Sequence, residues 1–184
     1  MAIECPTCGR QYDVTLFGFG RSVRCVCGAT VSLEGGHRRP REQPHITRLL
    51  MVCHGDAALA HRIAESLHDE AIDAIYASDA VEAIQTARVV NESRLLLVHT
   101  RPALREPENA AAPSDVMDRA IGQIEQIAQE NVRKLTLIIA GQEICLAFLS
   151  FVLGRLPDEE EAGRVRPGEC HVFEYRPAGW LWLR

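Results

Sequence analysis

The sequence predicts an α/β protein: a three-layer α/β/α domain with a mainly parallel sheet and an antiparallel C-terminal edge, preceded by a small β unit. From about residue 46 onward, short apolar runs alternate with amphipathic segments of helical period, which is typical of parallel strands joined by helices. Two apolar segments around a Pro-Ala-Gly turn predict a closing hairpin. Four cysteines within residues 5–27 indicate a separate small unit at the N-terminus.

The elements of the larger domain follow from the spacing of its apolar residues. Consecutive apolar residues predict buried strands, and apolar residues every three or four positions predict helices. Asp56 is expected to cap the first helix, and Ser78 is a possible cap of the second. The predicted strands are 49–53, 74–76, 95–98 and 135–139; the predicted helices are 56–69, 79–90, one beginning at 114 or 115, and 143–153; the hairpin pairs 171–175 with 180–183; and 101–113 and 158–161 are expected to be loops.

Composition and charge narrow the classes of protein to which the chain can belong. Hydrophobic residues make up 47% of the chain and charged residues 24%, which is a globular composition. No apolar run approaches the roughly 18–20 residues that span a bilayer, and the N-terminus lacks a signal-peptide pattern. We therefore expect a cytoplasmic protein without a membrane partner. Residues 1–45 hold six arginines and four acids, and this weak positive charge does not favour nucleic-acid binding.

Two close cysteine pairs predict a metal site near the N-terminus. Cys5 and Cys8 form the first pair, Cys25 and Cys27 form the second, and each pair is followed by a glycine. Pairs about 15–20 residues apart are typical of structural zinc sites, in which four thiolates surround the ion at about 2.3 Å. The sequence therefore predicts one structural zinc ion held by these four cysteines.

The same segment resembles the bacterial zinc-ribbon family, with its Cys-Pro-x-Cys-Gly opening and its Val-Arg-Cys second knuckle. The second knuckle departs from the family because it is Cys-x-Cys rather than Cys-x-x-Cys, and His37 could replace one thiolate. The ribbon is predicted to span 1–35, with short strands around a turn at 18–20. Glycine, proline and arginine in 36–45 indicate a flexible linker, and the larger domain is predicted to span 46–184.

The larger domain carries motifs in the order of a known superfamily. Leu50-Met51-Val52-Cys53-His54-Gly55 is similar to the Leu-Val-Arg-His-Gly strand end that opens the histidine phosphatase superfamily, the phosphoglycerate-mutase-like enzymes. Residues 72–78, followed by Ala83-Ile84-Gln85-Thr86-Ala87, resemble its second strand and its Ser-x-x-x-Arg-Ala-x-x-Thr-Ala helix. Ile138-Ile139-Ala140-Gly141 stands where the superfamily has its second histidine and a glycine. The resemblance covers about residues 48–184 and implies that superfamily's fold.

The resemblance also implies where catalytic residues would lie. In that superfamily a histidine attacks phosphorus, two arginines and a second histidine surround the phosphoryl oxygens, and a carboxylic acid protonates the leaving group. At the matching positions this chain has His54 as the nucleophile, Cys53 and Glu82 instead of the arginines, and Ala140 instead of the second histidine. No carboxylate stands at a matching position near 97–99. The resemblance therefore implies a degenerate phosphate pocket that is inactive in phosphoryl transfer.

The predicted function is that of a non-catalytic binding or regulatory protein: a pseudophosphatase domain with a structural zinc ribbon and a protein partner. One alternative is a phosphatase that uses His54 with arginines supplied elsewhere, such as Arg62 or Arg101. Another is a nucleic-acid-binding protein led by the ribbon, whose arginines and aromatic residues would permit phosphate contacts and base stacking. The alternative fold is a receiver-like domain with His99 at the phosphoacceptor position.

Overall fold

The chain divides into two compact units, Met1–Gln43 and Pro44–Arg184, which are called the N-terminal unit and the main unit below. The structure is a computed structural model that describes residues 2–5, 10–13, 15–17, 22–32, 46–107 and 113–183. The linker expected at 36–45 lies outside the described residues. The predicted boundaries of ribbon, linker and larger domain therefore stay a prediction.

The described part of the N-terminal unit contains two small antiparallel sheets, each of two strands. Its strands are β1 (Ala2–Glu4) paired with β2 (Gln11–Asp13), and β3 (Val23–Arg24) paired with β4 (Thr30–Val31). Cys5, Phe17, Cys25 and Val31 form the core of this unit. Half of this core is cysteine, so little apolar surface is available to stabilise the unit without a further cross-link or metal. The turn predicted at 18–20 lies outside the described residues.

The main unit is a six-stranded sheet with helices on both faces, which confirms the predicted fold class. The strand order is β10-β9-β5-β8-β6-β7; β5, β8, β6 and β7 run parallel, and β9 and β10 add the antiparallel edge. None of the described helices is both long and apolar enough to cross a membrane. The elements are β5 (Thr47–Cys53), α1 (Ala57–Ser66), β6 (Ala74–Ala77), α2 (Val81–Asn91), β7 (Val98–Thr100), α3 (Pro113–Glu130), β8 (Leu135–Ala140), α4 (Gln142–Leu153), α5 (Glu159–Arg164), β9 (Cys170–Arg176) and β10 (Gly179–Leu183).

Two hydrophobic clusters lie on opposite faces of this sheet. Leu50 and Val52 of β5 pack with α1 and α2, whereas Leu49, Met51 and Cys53 pack with α3 and α4. Side chains of a strand alternate between faces, so the apolar run of β5 supplies both clusters. The Asp56 carboxylate accepts a hydrogen bond from the Leu59 amide and caps α1 as predicted.

The third predicted strand is wrong in position. The strand begins at Val98, and Leu95 and Leu97 are 88% and 72% exposed instead of buried. The Asn91 side chain bonds both the amide and the carbonyl of Leu96, and Leu95 takes a positive φ of 56°. These side-chain bonds hold the chain in a turn after α2, which delays the strand by three residues.

The acidic run 158–161 is the start of a helix, not a solvated loop. Asp158 caps α5 by accepting a hydrogen bond from the Glu161 amide, and the Glu161 carboxylate accepts one from the Asp158 amide. Glu161 is buried and also receives two hydrogen bonds from Arg155, at 2.8 and 2.9 Å. The Asp-x-x-Glu spacing is that of a capping box, which a count of charges alone does not reveal.

Candidate functional site

Three of the four residues of the predicted pocket meet at the ends of two central strands. Cys53 and Ala140 end β5 and β8 and are paired in register. The backbone amide of the next residue, His54, donates a hydrogen bond of 3.0 Å to the carbonyl oxygen of Ala140. In open α/β sheets the carboxyl ends of parallel strands are where ligands bind. The structure thus places these three residues at the edge of the sheet where a site is expected.

Glu82, the fourth predicted pocket residue, lies on the first turn of α2 and is exposed. Its backbone carbonyl accepts a hydrogen bond from the Thr86 hydroxyl. Among the described residues, no hydrogen bond or ion pair joins the Glu82 carboxylate to the other three predicted pocket residues.

The last residue of β5 is buried and lies among thiols. Cys53 is 0% exposed, and its side chain is hydrogen-bonded to that of Cys145 on α4. This hydrogen bond, together with burial, holds the pKa of the Cys145 thiol well above its usual range. Burial also raises the pKa of Cys170, which begins β9, to about 12. Thiols with raised pKa values are neutral near pH 7, so Cys145 and Cys170 place no thiolate there.

A carboxylate that the sequence analysis missed lies at the start of α4. Glu106 Oε1 accepts a hydrogen bond of 2.8 Å from the backbone amide of Glu143, in the first turn of the helix. The Glu106 side chain occupies the space beside Gly141, where an added Cβ would come within 2.0 Å of its carboxyl carbon. Its charge also contributes to the raised pKa of Cys145. Glu106 therefore lies beside Gly141, the residue that follows Ala140 at the end of β8.

Glu106 lies beyond residues 97–99, the region in which the resemblance places the acid. The chain continues through β7 and a short 3-10 helix, Pro102–Leu104, which returns it toward the centre of the sheet. In the sequence, Glu106 and Glu108 are the carboxylates between the third strand and the third main helix. The sequence places both in the connection that follows β7, and the structure shows that Glu106 reaches α4.

The two arginines considered as substitutes lie elsewhere in the main unit. Arg62 is exposed on α1, more than a turn beyond the start of that helix. Arg101 follows β7, and its guanidinium lies over the Tyr76 ring, 5.1 Å from the ring centroid. The strand β7 is three strands from β5, or about 14 Å at the usual strand spacing. Arg101 is therefore held at the side of the sheet by a cation–π contact.

The described cysteines of the N-terminal unit form a cluster that could hold a metal ion. The sulfur atoms of Cys5, Cys25 and Cys27 all lie within 4.8 Å of one another, and those of Cys5 and Cys27 are 3.6 Å apart. Four sulfurs arranged tetrahedrally at about 2.3 Å from zinc would be roughly 3.8 Å apart. The backbone amide of Gly28, which has a φ of 90°, bonds the Cys25 carbonyl and closes the second knuckle.

The same cluster shows that the short Cys-x-Cys knuckle does not prevent its two sulfurs from approaching Cys5. The distances therefore fit a metal bound by sulfur. The other two predicted or alternative ligands, Cys8 and His37, lie outside the described residues.

The main unit is similar to known proteins both in sequence and in structure. Residues 55–111 match the model of the histidine phosphatase superfamily, branch 1. No curated protein matches the chain at a significant level. Among solved structures, the chain is similar to YhfR of Bacillus stearothermophilus, with a TM-score of 0.65 and 15% identity over 74% of this chain and 95% of that one.

Two further solved structures show a similar degree of likeness. The α-ribazole phosphatase of Shigella flexneri has a TM-score of 0.62 and 17% identity over 74% of this chain and 94% of that one. A phosphoglycerate mutase of Bacillus anthracis has a TM-score of 0.63 and 14% identity over 76% and 92%. Residues 55–111 of the main unit therefore match this superfamily's model, and the likenesses to solved structures show that the main unit shares their fold.

Proposed function

We propose that the histidine phosphatase superfamily domain of the main unit is a pseudophosphatase, and that the protein acts by binding or regulation. The observation that carries this proposal is the burial of Cys53 and Ala140, both 0% exposed and both within the apolar cluster under α4. By the resemblance, an arginine and a histidine would stand at these positions. Here the contact between the Cys53 and Cys145 thiols and the Ala140 methyl group fill the same end of the sheet.

Electrostatics at this end of the sheet also disfavours a phosphoryl group. An anion site needs hydrogen-bond donors and positive charge, but Glu106 already occupies the start of α4 with a carboxylate. Two like charges about 4 Å apart repel by roughly 4 kcal/mol at an effective dielectric constant of 20. The loss of one stabilising donor commonly lowers the rate about 10²–10³-fold. These terms act in the same direction and support a non-catalytic domain.

The N-terminal unit is proposed to be a zinc ribbon with a structural role. The geometry of Cys5, Cys25 and Cys27 supports a sulfur-bound metal, and Cys8 is proposed as the fourth ligand. When bound, zinc would cross-link the segments and supply folding free energy to a unit with a very small core. Thiolates remain free to bind metal in a reducing compartment, so this proposal also supports a cytoplasmic location.

The proposed partner of the protein is another protein rather than a nucleic acid. The charge of the first 45 residues is only weakly positive, which gives little electrostatic attraction for phosphates. A domain that has kept its fold without the charged groups for phosphoryl transfer can still present a surface for binding.

A second candidate function is a phosphatase that uses His54 with an unconventional set of partners. The observation that favours it is Glu106, which supplies the carboxylate that a leaving group would need and lies at the same end of the sheet as His54. This candidate needs a cation for the phosphoryl oxygens. Arg101 would have to leave the Tyr76 ring to supply one.

A phosphatase assay with matched histidine variants distinguishes the two candidates. The substrate is p-nitrophenyl phosphate, and the proteins are wild type, His54→Ala and His61→Ala, whose histidine is exposed on α1. We expect all three to show the same background rate. A wild-type rate at least about 100-fold above that of His54→Ala, with His61→Ala unaffected, would overturn the pseudophosphatase proposal and establish the second candidate.

A further inference from the structure

The side chain of Tyr12 packs in the N-terminal unit beside its cysteine cluster. Tyr12 lies on β2, where it is paired in register with Ile3 of β1. Its side chain packs against the core of that unit, and its ring meets the Phe17 ring in a T-shaped arrangement with the ring centroids 6.4 Å apart. Phe17 is 0% exposed, so this contact restrains the orientation of the tyrosine ring.

The hydroxyl at the end of this ring is buried, and it makes no hydrogen bond of full geometry to a described residue. The group that interacts with it most strongly is the Cys25 side chain, and the backbone amide of Val26 is also close to it. A buried hydroxyl without a good partner loses its bonds to water and gains nothing in return. The Tyr12 hydroxyl is therefore a donor that needs an acceptor, and the Cys25 sulfur lies beside it.

Two backbone amides of the second knuckle donate to carbonyl oxygens rather than to sulfur. The Cys25 amide donates to the Ala29 carbonyl at 2.8 Å, and the Gly28 amide donates to the Cys25 carbonyl at 2.9 Å. These two bonds hold the turn in place, but neither of them reaches a sulfur atom. The Tyr12 hydroxyl differs from these amides, because no carbonyl of the described residues takes its proton.

Metal binding turns a cysteine sulfur into a stronger acceptor, because the ligand is a thiolate rather than a thiol. In a site of four cysteines, the negative charge of the thiolates exceeds the positive charge of zinc. Donors aimed at the sulfur atoms offset this excess in a place that water reaches poorly. The phenol of tyrosine has an ordinary pKa of about 10, so it keeps its proton near pH 7 and can be such a donor.

We propose that Tyr12 is a positioning residue of the metal site, and that its hydroxyl donates a hydrogen bond to the Cys25 thiolate when the metal is bound. This role rests on the zinc ribbon proposed above. Tyr12 acts on the ion through Cys25 and is not itself a ligand. Its hydroxyl therefore affects how tightly the ion is held and how strongly the Cys25 sulfur donates electrons to it.

Zinc affinity of the full chain tests the proposal. Tyr12→Phe removes the hydroxyl but keeps the ring that packs against Phe17. Loss of a hydrogen-bond partner of a metal ligand commonly lowers metal affinity about 10–100-fold. The Kd for zinc, measured at pH 7 by competition with a chelator of known affinity, should therefore rise at least about ten-fold. Tyr175→Phe removes the same hydroxyl from β9 of the main unit and should leave the Kd unchanged.

Cobalt(II) in place of zinc gives a second readout, the sulfur-to-cobalt charge-transfer absorption. A hydrogen bond stabilises the lone pairs of a thiolate, so its charge-transfer band lies at higher energy. Tyr12→Phe should move this band to longer wavelength, whereas Tyr175→Phe should leave it in place. The spectrum of Cys25→Ser is subtracted to remove cobalt bound at the cysteines of the main unit.

The outcomes separate the role of Tyr12 from the metal site itself. If Tyr12→Phe keeps both the wild-type Kd and the wild-type band, the proposal for Tyr12 is wrong and the zinc site remains. A raised Kd with an unmoved band also overturns the proposal, because Tyr12 would then act by packing alone. A wild-type protein that binds no more zinc or cobalt than Cys25→Ser overturns the zinc site, and the role of Tyr12 with it.

Discussion

Removal of the Glu106 carboxylate should destabilise the main unit by uncapping α4. The first amides of a helix have no partner within the helix, and Glu106 accepts a hydrogen bond from one of them, the Glu143 amide, at 2.8 Å. Loss of a capping side chain costs about 0.5–2 kcal/mol. Loss of a negative charge at a helix N-terminus costs a further 0.3–1 kcal/mol or so. Glu106→Ala should therefore lower the free energy of unfolding by about 1–3 kcal/mol.

Urea unfolding followed by circular dichroism measures this difference at pH 7. For a unit of this size, the change corresponds to a fall in Tm of roughly 3–10 °C. Glu106→Gln keeps an oxygen acceptor but not the charge, so it should lose only about a third as much free energy of unfolding. Glu82→Ala is the matched control, because Glu82 is an exposed carboxylate in the first turn of α2 without an ion pair in the described structure.

Two results would refute this reasoning. If Glu106→Ala were within about 0.5 kcal/mol of wild type, the cap would contribute no more than an ordinary surface residue. If Glu82→Ala were as destabilising as Glu106→Ala, the effect would come from the helix dipole in general and not from the contact between Glu106 and α4.

Two further predictions concern the metal site and a buried histidine. Metal analysis of the purified protein should show about one zinc per chain. The variant Cys25→Ser should lose this zinc, whereas Cys170→Ser should retain it. A metal-free but folded N-terminal unit would contradict the zinc site. Burial lowers the pKa of His171 despite the opposing charge of Glu169. The His171 side chain therefore binds a proton more readily in the unfolded chain than in the folded one. The free energy of unfolding should fall as the pH drops below about 6.5, and it should level off below the pKa of His171 in the folded protein. Unfolding in urea at pH 7.5 and 5.5 should show a smaller loss for His171→Phe than for wild type, and equal losses would contradict the assigned cause.

The local sequence determined most of the secondary structure of the main unit. Apolar runs such as 49–53 and 135–139 predicted β5 and β8 because a fully buried parallel strand needs apolar side chains on both faces. Asp56 was correctly predicted as the cap of α1, since capping depends on neighbours within the same turn. The turn at Leu95 escaped prediction because Asn91 reverses the chain through its side chain, against the apolar pattern.

The sequence by itself also determined which residues follow the central strands, and hence that Cys53, His54 and Ala140 stand where the resemblance expects a phosphate pocket. Whether those positions are open or filled was decided only by the tertiary structure. The thiols of Cys53 and Cys145 meet across a strand and a helix that are far apart in the chain. Glu106 reaches α4 through a connection whose path no local pattern specifies. Burial and charge at the site depend on these long-range contacts, because the electrostatic environment of a group is set by its neighbours in space.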